Sequence, residues 1–230
     1  MSPDDESFLT ADESRLDLWN VDKTVGQVYN LIDYERRNPS FGDERILSAK
    51  FNPESGCTFL YTTSKGRINI CDLRERSDFH KKASTQLQVN SSSVGGNSVF
   101  CHWVDSVSDA KFVPNSNCIV SRDYMTVKLW DLRYGGNSSK SKPIYSAQVT
   151  DYMERNLPAL HEMENLEDMF FLDVSPDGKH IATGGYNRSG HVMDLNATTN
   201  TTLSCTFRAD RDAVAGKLKV YGKNKKFTSP

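Results

Sequence analysis

Val127-Lys128-Leu129-Trp130-Asp131-Leu132-Arg133 alternates apolar and polar side chains and closes on Trp-Asp-Leu. Alternation with a period of two marks a half-buried β-strand, because successive side chains leave opposite faces of a sheet. Three other stretches end alike. They are Leu16-Asp17-Leu18-Trp19-Asn20-Val21, Ile68-Asn69-Ile70-Cys71-Asp72-Leu73-Arg74 and His191-Val192-Met193-Asp194-Leu195-Asn196. Each has Trp, Cys or Met, then Asp or Asn, then Leu or Val. Three of the four share an upstream landmark: Ser48-Ala49-Lys50-Phe51-Asn52-Pro53, Asp109-Ala110-Lys111-Phe112-Val113-Pro114 and Phe171-Leu172-Asp173-Val174-Ser175-Pro176. From each proline to its endpoint (Cys71, Trp130, Met193) the offset is 18, 16 and 17 residues, so the chain is built from repeats.

Between landmark and endpoint lies a second apolar run: Phe59-Leu60-Tyr61, Cys118-Ile119-Val120 and His180-Ile181-Ala182. A polar turn follows: Ser64-Lys65-Gly66, Arg122-Asp123-Tyr124 and Gly184-Gly185-Tyr186-Asn187. Each unit therefore predicts strand, Pro-containing turn, strand, tight turn, strand. That is the inner part of a WD-repeat propeller blade, whose outer strand follows the Trp-Asp position. Outer strands are expected within 24–32, 145–149 and 201–207. The predicted fold is all-β: an incomplete WD-repeat β-propeller of about four of seven blades, over residues 7–227, with units ending near 19, 71, 130 and 193. Residues 8–21 give a partial first blade, and 216–227 read as the beginning of a further one. Endpoint spacings of 52, 59 and 63 residues exceed the usual ~40–45 of a WD repeat. The excess falls in polar connectors at 75–96 and 134–142, which are expected on the propeller faces. Residues 150–160 carry a helical pattern, with Thr150 or Asp151 as its cap and Pro158 as its limit. An unclosed ring exposes strand edges, so the chain is expected to be a fragment or to pair with something.

Composition excludes several classes. Lys+Arg 28 against Asp+Glu 30 leaves a net charge of −2, which gives no electrostatic case for a nucleic-acid binder. No run approaches the ~18 apolar residues of a membrane-spanning helix, and the acidic opening Met1–Glu6 is not a signal peptide. The five cysteines are odd in number and contain no C-x-x-C, which suits reduced thiols in the cytoplasm or nucleus. The N-x-[ST] triplets at Asn90, Asn137, Asn187, Asn196 and Asn200 read as chance in an Asn/Ser-rich chain.

Thr58–Arg74, with Ser64-Lys65-Gly66 and Cys71-Asp72 in place of Trp-Asp, closely resembles a stretch of the WD-repeat regulatory B subunit of the type 2A serine/threonine protein phosphatase. Val107–Phe112 and Ser121–Leu132 are similar to the family's next blade, Phe8–Trp19 to an upstream blade end, and Thr183–Asn187 to a later one. The segments keep the family's order from about 7 to 195. The resemblance implies a regulator that is not itself an enzyme and needs no cofactor. Its implied partners are the phosphatase scaffold subunit, the catalytic subunit and phosphoprotein substrates with basic segments. The resemblance places Asp12 and Glu13 among acidic substrate-contacting residues, and Tyr124 and Tyr186 in corresponding turns of later blades. The family's N-terminal blades, with the arm that grips the scaffold, have no counterpart here. Asn38–Glu44, in another substrate-contacting region, is less acidic and aliphatic than the family's segment.

Each candidate has a plainer reading. Asp12 and Glu13 read either as a contact for a cationic peptide or as a solvated turn. Tyr124 and Tyr186 read either as exposed aromatic anchors or as packing between blades. Asp72, Asp131 and Asp194 read as ties at strand ends, and Trp19 and Trp130 as blade core. Ser139-Lys140-Ser141-Lys142 fits S-x-x-K but lies in a connector with no helix to hold the pair. The five histidines lack metal-ligand spacing, and Lys217, Lys219, Lys223, Lys225 and Lys226 read as a solvated basic cluster. The alternative to a phosphatase regulator is a general WD-repeat interaction scaffold.

Overall fold

The computed structural model describes residues 1–22, 28–37, 44–75, 83–89, 101–134, 142–149, 157, 168–186, 189–195, 205–208 and 219–221. They form four antiparallel sheets in chain order. The first holds β1 (Ser7–Ala11), β2 (Arg15–Asn20) and β3 (Val28–Asp33). The second holds β4 (Ile46–Asn52), β5 (Ser55–Thr63), β6 (Arg67–Asp72) and β7 (Thr85–Gln88). The third holds β8 (Val107–Phe112), β9 (Cys118–Asp123), β10 (Thr126–Asp131) and β11 (Tyr145–Gln148). The fourth holds β12 (Leu172–Val174), β13 (His180–Gly184), β14 (Ser189–Asp194), β15 (Cys205–Arg208) and β16 (Lys219–Tyr221). One-turn helices α1 (Tyr34–Arg37) and α2 (Cys101–Val104) lie between sheets.

Each sheet is a meander, and each buries both faces against its neighbours where a neighbour exists. Leu16 of the first sheet packs with Phe51, Phe59 and Cys71 of the second. Leu60 and Ile70 of the second pack with Ile119 and Trp130 of the third. Val120 and Val127 of the third pack with Ile181 and Met193 of the fourth. Thus in the second, third and fourth sheets the residue in the Trp place (Cys71, Trp130 and Met193) faces the sheet before it. Trp130 is 1% exposed, and its ring N–H donates to the Ser121 hydroxyl at 2.8 Å. Trp19 makes the same bond to Thr10 at 2.8 Å. Burying Trp130 is worth several kcal/mol: truncating a buried Trp to Ala typically costs about 3–5 kcal/mol.

Polar groups on equivalent positions also join the sheets, one repeat apart. The Ser48 hydroxyl donates to Asp109 at 2.7 Å, and the other Asp109 oxygen accepts the Leu172 N–H at 3.2 Å. The Ser108 hydroxyl donates to the Phe170 carbonyl at 2.6 Å, and the Lys111 ammonium to Asp173 at 2.6 Å. Two glycines permit close approach between units. Gly66 has φ +75° and its missing Cβ would lie 2.7 Å from the Asp105 carbonyl oxygen. Gly178 has φ +69°, and a Cβ there would lie 2.6 Å from the Pro114 carbonyl oxygen. Asp72 and Asp131 each accept their own Arg at i+2, through its backbone N–H at 2.9 Å and its guanidinium at 2.6 Å. Both close the turn that leaves the third strand of a sheet.

Two sequence expectations change. The connector at 75–96 contains strand β7: one inward apolar side chain, Leu87 at 1% exposure, suffices for an outer strand, so polar Thr85, Gln86 and Gln88 hid it. Residues 216–227 do not open a new sheet in the part described. β16 instead pairs with β15, Val220 opposite Phe207, as a fifth strand on an otherwise open edge. The expected helix at 150–160 lies outside the described residues except Leu157, which is helical and 2% exposed. Residues 135–141, with the S-x-x-K match, also lie outside.

Candidate functional site

In a four-stranded meander the turn between the second and third strands leaves the same face as the connection to the next sheet. The β1–β2 turn (12–14), the β5–β6 turn (64–66), the β9–β10 turn (124–125) and the residues that follow β13 (185–186) therefore share one face. All four candidate residues lie on it.

Asp12 and Glu13 are exposed. The turn is held rigidly beneath them. The Asp12 N–H donates to the Arg15 carbonyl at 2.8 Å, and the Asp12 carboxylate accepts the Glu13 N–H at 2.7 Å. The Glu13 carbonyl accepts the Ile46 N–H at 2.7 Å, which ties the turn to the second sheet. The Glu13 carboxylate lies 3.7 Å from the Arg45 guanidinium, an exposed pair worth about 0–1 kcal/mol. Two further acids gather here that the residue-by-residue reading did not single out. Glu35 accepts the Ser14 hydroxyl at 3.2 Å. Glu44 is buried at 4% exposure, with one oxygen 3.0 Å from the Arg67 guanidinium and the other without a hydrogen-bond partner. Of Asn38–Glu44 only Glu44 is described. The sequence signal for Glu35 was its place directly after the outer strand β3, at the entry to the face.

Tyr124 and Tyr186 meet. Their hydroxyls are 2.8 Å apart and their ring centroids 6.1 Å. Tyr124 is only 4% exposed and packs with Val104, Met125 and Leu157, with Trp103 and Tyr186 alongside. Its ring is packing between the third and fourth sheets and not an exposed anchor. The reason is the turn: Asp123 accepts the Met125 and Thr126 N–H groups at 2.9 and 2.6 Å, which folds the tip back over the sheet. Tyr186 stays half-buried, edge-on to Phe170 at 4.8 Å and 79°. Burial and the Tyr124 hydroxyl hold its phenol well above the usual tyrosine range. The Asp12–Glu13 pair and the tyrosine pair are thus two separate spots on one face, at the first sheet and between the last two.

Among the described residues no group of three or more His, Cys, Asp or Glu could hold a metal ion, and Cys57, Cys71 and Cys118 are free thiols. Burial pushes the Cys118 thiol up, so it is a poor nucleophile. Among the described residues no helix is long and apolar enough to cross a membrane.

Four repeated antiparallel sheets whose third strands end on Trp-Asp or a variant of it define a WD-repeat β-propeller protein, and solved propellers agree. Raptor of Chaetomium thermophilum superposes with a TM-score of 0.55 at 15% identity, covering 83% of this chain and 14% of that one. The Cps50 (Swd1) β-propeller domain of Myceliophteria thermophila gives 0.54 at 13% identity, covering 82% and 53%. No protein-family model matches the chain. Its sequence relatives are regulatory subunits of serine/threonine protein phosphatase 2A, of the 55 kDa B class, and the chain corresponds to a part of them. It is 36% identical over 189 residues to the regulatory subunit sur-6 of Caenorhabditis elegans, covering 81% of this chain and 36% of that one. It is 30% identical over 235 residues to phr2AB of Dictyostelium discoideum, covering 100% and 47%. The 55 kDa regulatory subunit of Drosophila melanogaster is 32% identical over 219 residues, covering 94% and 41%. The chain therefore spans less than half the length of these relatives.

Proposed function

We propose that the chain is a non-catalytic regulator of protein phosphatase 2A that recruits phosphoproteins with basic segments to the catalytic subunit. The observation that carries this reading is the exposed Asp12–Glu13 turn, braced by the second sheet, in a chain related over 81% or more of its length to regulatory subunits. A pair of acids on a rigid turn steers a cationic peptide without contributing much affinity of its own. Tyr186, half-buried and on the same face, supplies an aromatic second contact, with Tyr124 beneath it as support. The scaffold and catalytic subunits are the expected partners, in the cytoplasm or nucleus. The test is reconstitution. Purified chain is mixed with the scaffold and catalytic subunits, and the association of a basic phosphopeptide is timed. Co-elution, with association slowed on the order of tenfold at low salt by Asp12→Lys/Glu13→Lys, is expected. No binding to either subunit at micromolar concentration would remove the phosphatase role.

A second reading is a general WD-repeat interaction scaffold not tied to the phosphatase, in whose favour stands the likeness to other solved propellers. Such a scaffold would bind basic peptides while ignoring both subunits, and the same experiment separates the two.

A further inference from the structure

Glu44 and Arg67 make only half of an ion pair. The Arg67 guanidinium donates from Nη1 to Glu44 Oε2 at 3.0 Å. A guanidinium and a carboxylate ordinarily meet as two forks joined by two parallel bonds. Asp72 and Asp131 show that arrangement in this molecule, each taking Nε and Nη2 of its own arginine at 3.0 and 2.6 Å. At Glu44 the second bond is missing. Its side chain is 0% exposed, and Oε1 has no hydrogen-bond partner. A charged acceptor in that position has given up water and received no donor in return, which is unfavourable.

The surrounding backbone holds both residues. The Arg45 N–H donates to the Ser64 hydroxyl and the Ser64 N–H to the Arg45 carbonyl, each at 2.9 Å. These bonds tie the approach to β4 to the turn before β6. That turn is clamped in its own right: the Gln88 amide donates to the Lys65 carbonyl at 2.9 Å, and Gly66 lies against the Asp105 carbonyl oxygen. Arg67 opens β6 directly after it. The pair also adjoins the acidic turn. Ile46, just beyond Glu44, donates its N–H to the Glu13 carbonyl at 2.7 Å, and Arg45 between them lies 3.7 Å from the Glu13 carboxylate. Arg67 follows the β5–β6 turn of the candidate face and its side chain is 38% exposed, so the pair is approached from that face.

The chemistry of the two groups selects what completes the ring. The incoming group must donate to Oε1 and accept from the guanidinium. Lys and Arg only donate, and Arg67 repels them. Asp and Glu only accept, and Glu44 repels them. A hydroxyl or a water does both, but from a single oxygen. A primary carboxamide does both along one edge, with its N–H and its C=O side by side, as the two forks require. Glutamine carries that edge on the longer stem, which suits an oxygen below the surface.

We propose that Glu44 and Arg67 form a subsite for a glutamine side chain in the peptide that Asp12 and Glu13 attract. The amide N–H donates to Glu44 Oε1, and the amide carbonyl accepts from Arg67. The subsite rests on the recruiting role proposed above and adds a requirement to it: the basic segment of a partner carries a glutamine nearby. The acids on the turn supply attraction. The carboxamide supplies discrimination, because a site built to hydrogen-bond a polar group rejects the analogue that lacks it.

The test is equilibrium binding to the full chain alone, by fluorescence anisotropy. The probes are lysine-rich phosphoserine peptides in which one glutamine is moved from position to position, each with leucine and glutamate counterparts. At one position glutamine should bind on the order of tenfold tighter than leucine, and glutamate no better than leucine. Glu44→Gln should reverse the choice. Its carbonyl keeps the Arg67 bond and its amide nitrogen donates where Oε1 accepted, so glutamate becomes the preferred residue. A pair with a structural role alone would not exchange one preference for the other. Glu44→Leu/Arg67→Met removes both charges together, a change that buried ion pairs often tolerate. It should abolish the preference and leave the salt-dependent contribution of Asp12 and Glu13. If no position favours glutamine over leucine, or if the preference is unchanged in Glu44→Gln, the subsite is overturned and Oε1 is left to water. Binding that still depends on Asp12 and Glu13 would then keep the recruiting role without the subsite. A glutamine preference in a chain that joins neither phosphatase subunit would keep the subsite and remove the phosphatase role. A chain that binds none of the peptides overturns the subsite and the recruiting role together.

Discussion

Asp123 shows how much one buried carboxylate can organise. It is 1% exposed and accepts two backbone N–H groups, the Thr126 hydroxyl at 2.5 Å and the Lys128 ammonium. Lys128 is itself 7% exposed and forms an ion pair with Asp123. Removing one member of a buried pair leaves the other charged and unsolvated, at a cost of about 3–5 kcal/mol. Asp123→Ala should lower stability by about that amount in urea unfolding, with Asp123→Asn intermediate because the amide still receives the turn N–H groups. An alanine variant as stable as the parent would show that the Lys128 contact contributes nothing. The sequence placed Asp123 in a turn and gave it no role, because its partners lie in the following strand and their burial depends on the next sheet.

At the scale of elements, the β9–β10 and β13–β14 turns act as one unit through Tyr124 and Tyr186. The folded protein holds the Tyr186 phenol above its ordinary value, chiefly by burial and then by the Tyr124 hydroxyl. The unfolded chain ionises it near pH ~10. A group whose folded pKa is raised contributes stability that is whole below the unfolded value and declines as pH climbs past it. The urea midpoint should therefore fall between pH ~9 and ~11, and fall less in Tyr186→Phe. Equal falls in the two proteins would place the phenol in water. Strand existence was legible because period-two alternation is local, and β2, β6, β10 and β14 lie where the repeat puts them. β7 was not legible, since an outer strand shows water most of its side chains and Thr85, Gln86 and Gln88 read as a connector.

For the whole molecule, Asp109 is the joint of the arc. Its two oxygens take Ser48 of the second sheet and Leu172 of the fourth, while its own strand belongs to the third. Hydrogen bonds to a charged group contribute about 1.5–3 kcal/mol each. Asp109→Ala should destabilise by about 2–4 kcal/mol and also lower the urea m-value, as the end sheets separate from a shared transition. A shifted midpoint with unchanged m would mean that the apolar faces alone keep unfolding cooperative. The candidate face belongs to this scale too. Asp12 and Glu35, more than twenty residues apart in sequence, sit on it together because α1 returns over the β1–β2 turn, where Ser14 bonds Glu35.

The sequence by itself determined the repeat, the propeller class, the exposed acidic turn at Asp12 and Glu13, and the kinship with phosphatase regulatory subunits. All of these rest on information carried within short stretches: alternation, turn residues and ordered motifs. The tertiary structure alone decided that Tyr124 is covered, that Asp109 links three sheets, and that β16 lies on β15. Those outcomes depend on which residues a repeat away come to lie opposite. Such pairings follow from sheets stacking face to face, where burial and edge pairing are properties of neighbours and not of any one strand.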